Sequence, residues 1–198
     1  MYKFTDGRTP REVYDELHAT MPAYGHTDHG AGTEHLLAGY NSVLDVGCGT
    51  GDYALNLKDR MDVAVCDISV VAVAVQMSRG LDAGMADLSM GLPYSENMYE
   101  TVTCCDTLEH IEPERVDFAI RELARVASRR IVLTIGTFAC HKDTLQLHLT
   151  VHPTEWWLDK LAKVTGGEVA VHECVYPVQH SKQGKAYKAI VVDLTIST

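Results

Sequence analysis

The chain has 198 residues, of which 46% are hydrophobic and 22% are charged, close to the averages for soluble globular proteins. This length and composition predict a single domain, residues 1–198, with enough apolar side chains for a substantial core. They exclude a mainly disordered, collagen-like or coiled-coil chain, and no apolar run is long enough for a transmembrane helix. The 27 acidic and 17 basic side chains give a net charge of −10, which disfavours broad binding to nucleic acid or to an anionic membrane.

The cysteines are predicted to be free thiols. The first residues of the sequence lack the apolar core of a secretory signal, so we expect a cytoplasmic protein. The six cysteines include no Cys-x-x-Cys pair. In that compartment we expect them to stay reduced and to pack as small apolar residues.

The first 40 residues are predicted to form helices and a loop that cap a functional site. Thr9-Pro10-Arg11-Glu12 matches a capping box with proline at the first helical position, and it predicts a helix to about Thr20. Residues 22–32 are rich in glycine, histidine and aspartate and indicate a loop, in which Tyr24 is a candidate cofactor contact. A short helix is expected over Glu34–Gly39.

Residues 41–198 alternate between strands and helices and form the predicted core. The strands are predicted at Ser42–Val46, Val63–Cys66, just before Asp87, Tyr99–Cys104, Ile131–Ile135, Glu168–Tyr176 and Ala186–Thr195. The helices between them are predicted at 52–60, 69–79, 113–127 and 153–164. Helical crossovers imply parallel neighbours, whereas the last two strands have no helix between them and are expected to pair antiparallel. The predicted fold class is therefore α/β, a doubly wound and mostly parallel seven-stranded sheet with a C-terminal antiparallel hairpin.

A glycine-rich loop follows the first predicted strand and precedes a helix. It reads Asp45-Val46-Gly47-Cys48-Gly49-Thr50-Gly51-Asp52, and its glycines allow a tight turn and a close approach of a ligand to the backbone. A dinucleotide site expects glycine or alanine where this chain has Asp52, whose carboxylate disfavours a pyrophosphate. S-adenosylmethionine (SAM) has no phosphate, and its cationic amine and sulfonium are compatible with an acidic site.

Two further aspartates stand at predicted strand ends. Asp67 ends the second strand, 22 residues after Asp45, where a carboxylate can accept hydrogen bonds from both ribose hydroxyls. Asp87 follows the third strand and could accept the adenine amino group, with Ile68 or Leu88 packed on the ring. Each aspartate could instead be an ordinary turn or cap residue, but their order along the chain favours a nucleoside-containing ligand.

At these motifs the chain resembles the class I SAM-dependent methyltransferases. The segments LDVGCGTGDYA, VCDIS, MADL and CDTLEHI, spread over Asn41 to Ile135, are similar to the successive motifs of that family. The resemblance implies the Rossmann-like methyltransferase fold, with SAM as cofactor and S-adenosylhomocysteine as product. It further implies that the methionine and ribose moieties lie on Gly47, Gly49 and Gly51, that Asp45 supports this loop, that Asp67 binds the ribose, that Asp87 and Leu88 meet the adenine, and that Cys105 and Asp106 touch the methionine end.

The methyl acceptor is expected beyond the fourth and fifth strands. Transfer to a hydroxyl needs a group that removes its proton. His110, His141 and His148 are the candidates for a base or an acceptor-orienting residue, although each could also be an ordinary packing histidine.

No metal is predicted, but one alternative is open. Asp106, Glu109 and His110 read acidic-x-x-Glu-His, which is similar to a pattern that holds a divalent metal in some O-methyltransferases, with His141 or His148 completing the shell. Oxygen ligands with one or two imidazoles would suit Mg²⁺ or Mn²⁺. The sequence Leu-Glu-His is also common in metal-free relatives, where it caps the next helix.

The sequence thus predicts a SAM-dependent methyltransferase that acts by in-line displacement on a small polar molecule, at oxygen. Neither nucleic acid nor a membrane is expected as a partner, and a homodimer is left open. Two alternatives remain. One is a SAM-binding regulatory or partner subunit without transfer activity, and the other is an NAD-dependent oxidoreductase, which Asp52 disfavours.

Overall fold

A computed structural model describes residues 2–21, 30–176 and 185–194. Within these ranges the helices are α1 (Pro10–Thr20), α2 (Tyr53–Leu57), α3 (Val70–Ser78), α4 (Val116–Val126) and α5 (Thr154–Thr165), with short 3₁₀ turns at Glu34–Leu37 and Leu108–His110. The strands are β1 (Ser42–Val46), β2 (Asp62–Asp67), β3 (Asp82–Met85), β4 (Tyr99–Cys105), β5 (Ala127–Thr134), β6 (His141–Lys142), β7 (Leu145–Gln146), β8 (Glu168–Tyr176) and β9 (Lys185–Asp193). None of the helices in the described ranges has the length and apolar character needed to cross a bilayer.

The predicted sheet is confirmed. Seven strands lie in the order β3-β2-β1-β4-β5-β9-β8. The strands β1 to β5 run parallel to one another, and β9 runs antiparallel to both β5 and β8. In such a sheet the carboxyl ends of β1 to β4 meet at one edge, and ligands of doubly wound folds bind at that edge.

Both faces of the central strand are covered. Leu44 on β1 packs with Ile120 of α4 and Trp157 of α5. Its neighbour Val43 points to the opposite face and packs with Leu37 beside α2, because side chains alternate along a strand. Burial of each such side chain contributes about 1.5–3 kcal/mol. The strand is apolar because both of its faces are covered by helices and packed side chains. A ligand site is therefore expected at the edge where the carboxyl ends of the strands meet.

Helix α1 begins as its sequence predicts. The Thr9 hydroxyl accepts a hydrogen bond from the Glu12 amide (3.4 Å), and the Glu12 carboxylate accepts one from the Thr9 amide (2.7 Å). This reciprocal cap satisfies two donors that a helix start otherwise leaves open.

Two helices are shorter than predicted. Helix α2 ends at Leu57 because the amides of Arg60 and Met61 both donate to the Leu57 carbonyl (2.9 and 3.2 Å) and close the chain into a turn. Helix α4 begins at Val116 rather than at Pro113, since residues 113–115 form a turn.

The histidine-rich segment after β5, predicted as a loop, contains the β6–β7 hairpin. Leu145 and Leu147 are buried against Val13 and Leu17 of α1 and against Phe4. The alternation of these leucines with Gln146 and His148 is a strand pattern that is too short to stand out in sequence. The hairpin therefore packs the segment after β5, where the methyl acceptor was expected from sequence, against helix α1.

Candidate functional site

The glycine loop after β1 is tightly held. The amides of Gly47 and Cys48 donate to the Cys66 carbonyl at 2.8 and 3.2 Å. From helix α3, the buried Gln76 side chain donates to the carbonyls of Gly49 (3.0 Å) and Gly51 (2.9 Å). The loop therefore has a fixed conformation, and several of its own polar groups are already bonded.

Gly47 is required by both its conformation and its surroundings. Its φ is +77°, and a Cβ there would lie 2.9 Å from Cγ2 of Thr107 and still closer to its hydroxyl. We expect Gly47→Ala to lower the free energy of unfolding by at least about 3 kcal/mol, since left-handed strain alone costs about 1–2 kcal/mol. Gly7→Ala is the matched control, because Gly7 has a φ of +87° and open space around it. Denaturant unfolding of both variants measures the difference, and equal losses would contradict the predicted clash.

Asp67 lies at the carboxyl end of β2 beside this loop. It is 7% exposed, and its two oxygens accept hydrogen bonds from the amides of Gly49 (2.9 Å) and Ser69 (2.8 Å). Burial raises the pKa of Asp67, and the two amide donors oppose that rise. The carboxylate is thus oriented by the backbone, and each oxygen retains a lone pair for a ligand.

Asp45 and Asp87 occupy different surroundings. Asp45 is buried and accepts a hydrogen bond from the Thr103 hydroxyl of β4 (2.7 Å), which links β1 to β4 just before the glycine loop. Asp87 accepts hydrogen bonds through Oδ1 from the amide and hydroxyl of Ser89 (2.9 and 2.6 Å). Asp87 is therefore a turn residue whose other carboxylate oxygen is available at the edge.

A cavity of about 250 Å³ opens at this edge of the sheet. Ten of the predicted cofactor-binding residues line it, namely Asp45, Gly47, Gly49, Gly51, Asp67, Ile68, Asp87, Leu88, Cys105 and Asp106. The eleventh, Tyr24, lies outside the described residues. Asp45, Asp67, Asp87, Asp106 and Glu112 make the wall acidic, and no lysine or arginine is among the described residues that line it.

Helix α1 lies in the segment that was predicted to cap the site, and it contributes lining residues that were not singled out from sequence. Pro10, Tyr14 and His18 recur every four residues and line the wall. The neighbouring Asp15 accepts a hydrogen bond from the Ser69 hydroxyl (2.7 Å), which caps helix α3. The four-residue spacing on a capped helix could have indicated that these lining residues share one helix face. No local sequence feature predicted the contact of Asp15 with Ser69.

Two of the three candidate histidines lie together in the wall. The His110 ring meets the His148 ring edge-on, with centroids 4.6 Å apart. Nδ1 of His110 lies 2.8 Å from the Tyr14 hydroxyl and 3.0 Å from the Leu147 carbonyl oxygen. Nδ1 of His148 lies 2.7 Å from the Phe138 carbonyl oxygen. His141, on β6, is exposed and is not among the residues that line the cavity.

Glu109 stands behind these histidines and is completely buried. Its Oε1 accepts a hydrogen bond from the Gly136 amide, and the Asp106 carboxyl group stands beside it. Burial first, and the Asp106 charge second, raise the pKa of Glu109 well above its usual value. A Cβ at Gly136 would lie 2.6 Å from Cε1 of His148, so glycine is needed for the chain to pass this cluster.

The cysteines are free, as predicted. None of the six forms a disulfide. Cys105 lines the cavity, but burial raises the pKa of its thiol, and a neutral thiol is a poor nucleophile. Cys105 therefore contributes packing and a backbone surface to the cavity wall, not a nucleophile.

The comparisons with known proteins agree with this geometry. Residues 43–129 match the methyltransferase domain family. Magnesium protoporphyrin IX methyltransferase of Arabidopsis thaliana is 33% identical over 122 residues, which are 57% of this chain and 38% of that protein. The 27-O-demethylrifamycin SV methyltransferase of Amycolatopsis mediterranei is 33% identical over 121 residues, 57% of this chain and 43% of that protein. Together with the fold and the cavity, these matches agree with the resemblance to the class I SAM-dependent methyltransferases that the motifs predicted.

The solved structures show the same fold. Magnesium protoporphyrin IX methyltransferase from Synechocystis PCC 6803, crystallised with bound SAM, superposes with a TM-score of 0.57 at 20% identity, covering 93% of this chain and 79% of that one. The chain spans less than half the length of the curated relatives described above. The fold is therefore shared, and the activity of this chain is a matter of proposal.

Proposed function

We propose that this protein binds SAM at the carboxyl edge of its sheet and transfers the methyl group to an oxygen atom of a small polar acceptor. One observation carries the proposal. A single cavity is lined by the glycine loop and Asp67, which suit the cofactor, and also by His110 and His148, which suit the removal of a proton. Cofactor and acceptor could thus meet without a further domain.

The residues present fit SAM. The oxygens of Asp67 are fixed by backbone amides and can each accept a ribose hydroxyl. Oδ2 of Asp87 can accept the adenine amino group, and the buried Leu88 lies beside it in the wall. The acidic wall suits the positive charges of the amine and sulfonium.

A dinucleotide fits less well. The amides of Gly47, Cys48 and Gly49 are bonded to the Cys66 carbonyl and to Asp67, so they are not available to a pyrophosphate. The described lining residues also offer no lysine or arginine for it. These observations weigh against the NAD-dependent alternative, as Asp52 did in the sequence, and the same acidity weighs against a nucleic-acid acceptor.

The chemistry divides between cofactor and protein. When bound, SAM supplies a methyl group already activated by a sulfonium. This chain orients the acceptor, excludes water with the α1 face, and takes the proton from the acceptor hydroxyl. A ring whose Nδ1–H donates to a backbone carbonyl presents Nε2 as the base, an arrangement that the contacts of His110 and His148 allow.

The names of relatives support a small acceptor. The matched plant and actinobacterial proteins are named for a porphyrin and for a rifamycin, and a Rauvolfia serpentina relative is named for ajmaline. All three are small organic molecules, although the last is an N-methyltransferase. Oxygen is proposed here because the imidazoles of His110 and His148 line the cavity and could remove a hydroxyl proton, a step that a neutral amine acceptor does not require before transfer.

Turnover tests this proposal. The purified chain would be incubated with methyl-tritiated SAM and a panel of small hydroxyl, amine and carboxylic compounds. We expect label on a hydroxyl compound and none with Asp67→Asn. Label only on amines would overturn oxygen transfer, and SAM binding without turnover across the panel would favour the partner-subunit alternative. Sedimentation of the same sample would decide whether the chain forms the homodimer left open by its sequence.

A further inference from the structure

Three potential metal ligands converge behind the cavity wall. Glu109, His110 and His148 each offer one ligand atom, and these atoms all lie within 4.8 Å of one another. His148 is 2% exposed and Glu109 is fully buried, so both side chains are shielded from bulk water. We propose that these three residues bind one divalent transition-metal cation. This inference rests on the proposed function, because the cation would face the methyl acceptor.

The hydrogen bonds of the two imidazoles orient them for this role. The carbonyl oxygens of Leu147 and Phe138 can only accept, so Nδ1 of His110 and Nδ1 of His148 each carry the proton. The Tyr14 hydroxyl can accept from the same Nδ1 of His110. Each neutral ring then has its lone pair on Nε2. Metal-binding histidines are fixed in this manner by backbone carbonyls behind them.

The carboxyl group of Glu109 supplies an independent observation. Its Oε1 accepts the Gly136 amide, whereas its Oε2 is buried and has no hydrogen-bond partner among the described residues. The Asp106 carboxyl group beside it is also an acceptor, so the two carboxyl groups can bond only by sharing a proton, and a cation would take the place of that proton. A buried oxygen without a donor costs free energy, and a cation bound at Oε2 would remove that cost.

The donor set indicates which cations fit. Two imidazoles and one carboxylate suit Mn²⁺, Fe²⁺, Co²⁺ or Zn²⁺, whereas Mg²⁺ and Ca²⁺ prefer oxygen ligands. Three protein ligands leave coordination positions open, and His110 and His148 line the cavity, so the open side faces the acceptor. Because both Nε2 atoms would then be ligands, the cation would replace the imidazole base of the proposed function and act as a Lewis acid toward a hydroxyl. The structure thus selects His148, not His141, as the distal histidine and revises the expectation of no metal.

Metal titrations of the full chain without SAM or acceptor test this site. Chelator-treated protein would be titrated with Co²⁺, Mn²⁺ and Mg²⁺ by calorimetry, with Co²⁺ also followed by its visible absorption. We expect one Co²⁺ per chain and Mg²⁺ affinity at least about 100-fold weaker. Loss of second-shell partners alone costs 10–100-fold in affinity, so His148→Ala and Glu109→Gln are expected to weaken Co²⁺ binding by at least about 100-fold. His141→Ala is the control and should bind as the wild type does.

Thermal unfolding first checks that each variant is folded. As a measurement that needs no variant, diamagnetic Zn²⁺ should shift the ring-proton NMR signals of its ligands His110 and His148 in the wild type and leave those of His141 nearly unchanged. Absence of a bound ion, or binding that both substitutions leave unchanged, would overturn the site. A separate SAM titration keeps the outcomes distinct, because lost SAM binding with an intact Co²⁺ site would contradict only the proposed function.

Discussion

Asp67→Ala is expected to weaken SAM binding by at least about 100-fold, which corresponds to about 2.7 kcal/mol. The carboxylate is the group proposed to accept the ribose hydroxyls, and hydrogen bonds to a charged group contribute about 1.5–3 kcal/mol each. The same oxygens hold the amides of Gly49 and Ser69 (2.9 and 2.8 Å), so alanine also releases the glycine loop. Both effects act in the same direction.

Calorimetric titration with SAM and S-adenosylhomocysteine measures this effect. Asp67→Asn separates the causes, because asparagine keeps the shape and one acceptor but loses the charge. Asp82→Ala is the matched control, since Asp82 is an exposed aspartate at the start of the neighbouring strand β3. If Asp67→Ala bound SAM as tightly as Asp82→Ala did, Asp67 would be only a turn residue.

His148→Ala is expected to lower kcat by about 10²–10⁴-fold, the range that a positioned acid or base contributes. The imidazole is buried in the cavity wall against His110, and its loss removes either a base or a ligand for the group that activates the acceptor. SAM affinity should change little, because the residues proposed to bind the cofactor are the loop and Asp67.

The comparison that decides this prediction is His141→Ala. Both positions were candidates from sequence, but His141 is exposed on β6 outside the cavity lining. We therefore expect its kcat to stay near that of the wild type, with the two variants compared at saturating SAM and acceptor. Equal kcat values for the two variants would show that His148 takes no part in the methyl transfer.

Local sequence signals predicted which residues lie together on the side of the cavity that is proposed to bind the cofactor. Glycines after a buried strand and single aspartates at successive strand ends are short-range features, and parallel strands bring their carboxyl ends together. This is why Gly47, Asp67 and Asp87, which are far apart in sequence, could be predicted to share the one wall that they line.

The arrangement of residues on the proposed acceptor side could be predicted only in part. Choosing between His141 and His148 depends on the β6–β7 hairpin, whose burial against α1 is a long-range contact with no local signature. The orientation of His110 by Tyr14, 96 residues away, and the anchoring of Asp15 on Ser69 are of the same kind. Such pairings depend on tertiary packing, which a single sequence does not reveal.

The most direct test of the central claim, that the acidic cavity at the sheet edge is a SAM site, is a titration of the wild-type chain. SAM, S-adenosylhomocysteine and NADH would be added in parallel by calorimetry under identical conditions. The account predicts one site per chain that binds the first two ligands and does not bind NADH. Binding of NADH without binding of SAM would contradict it.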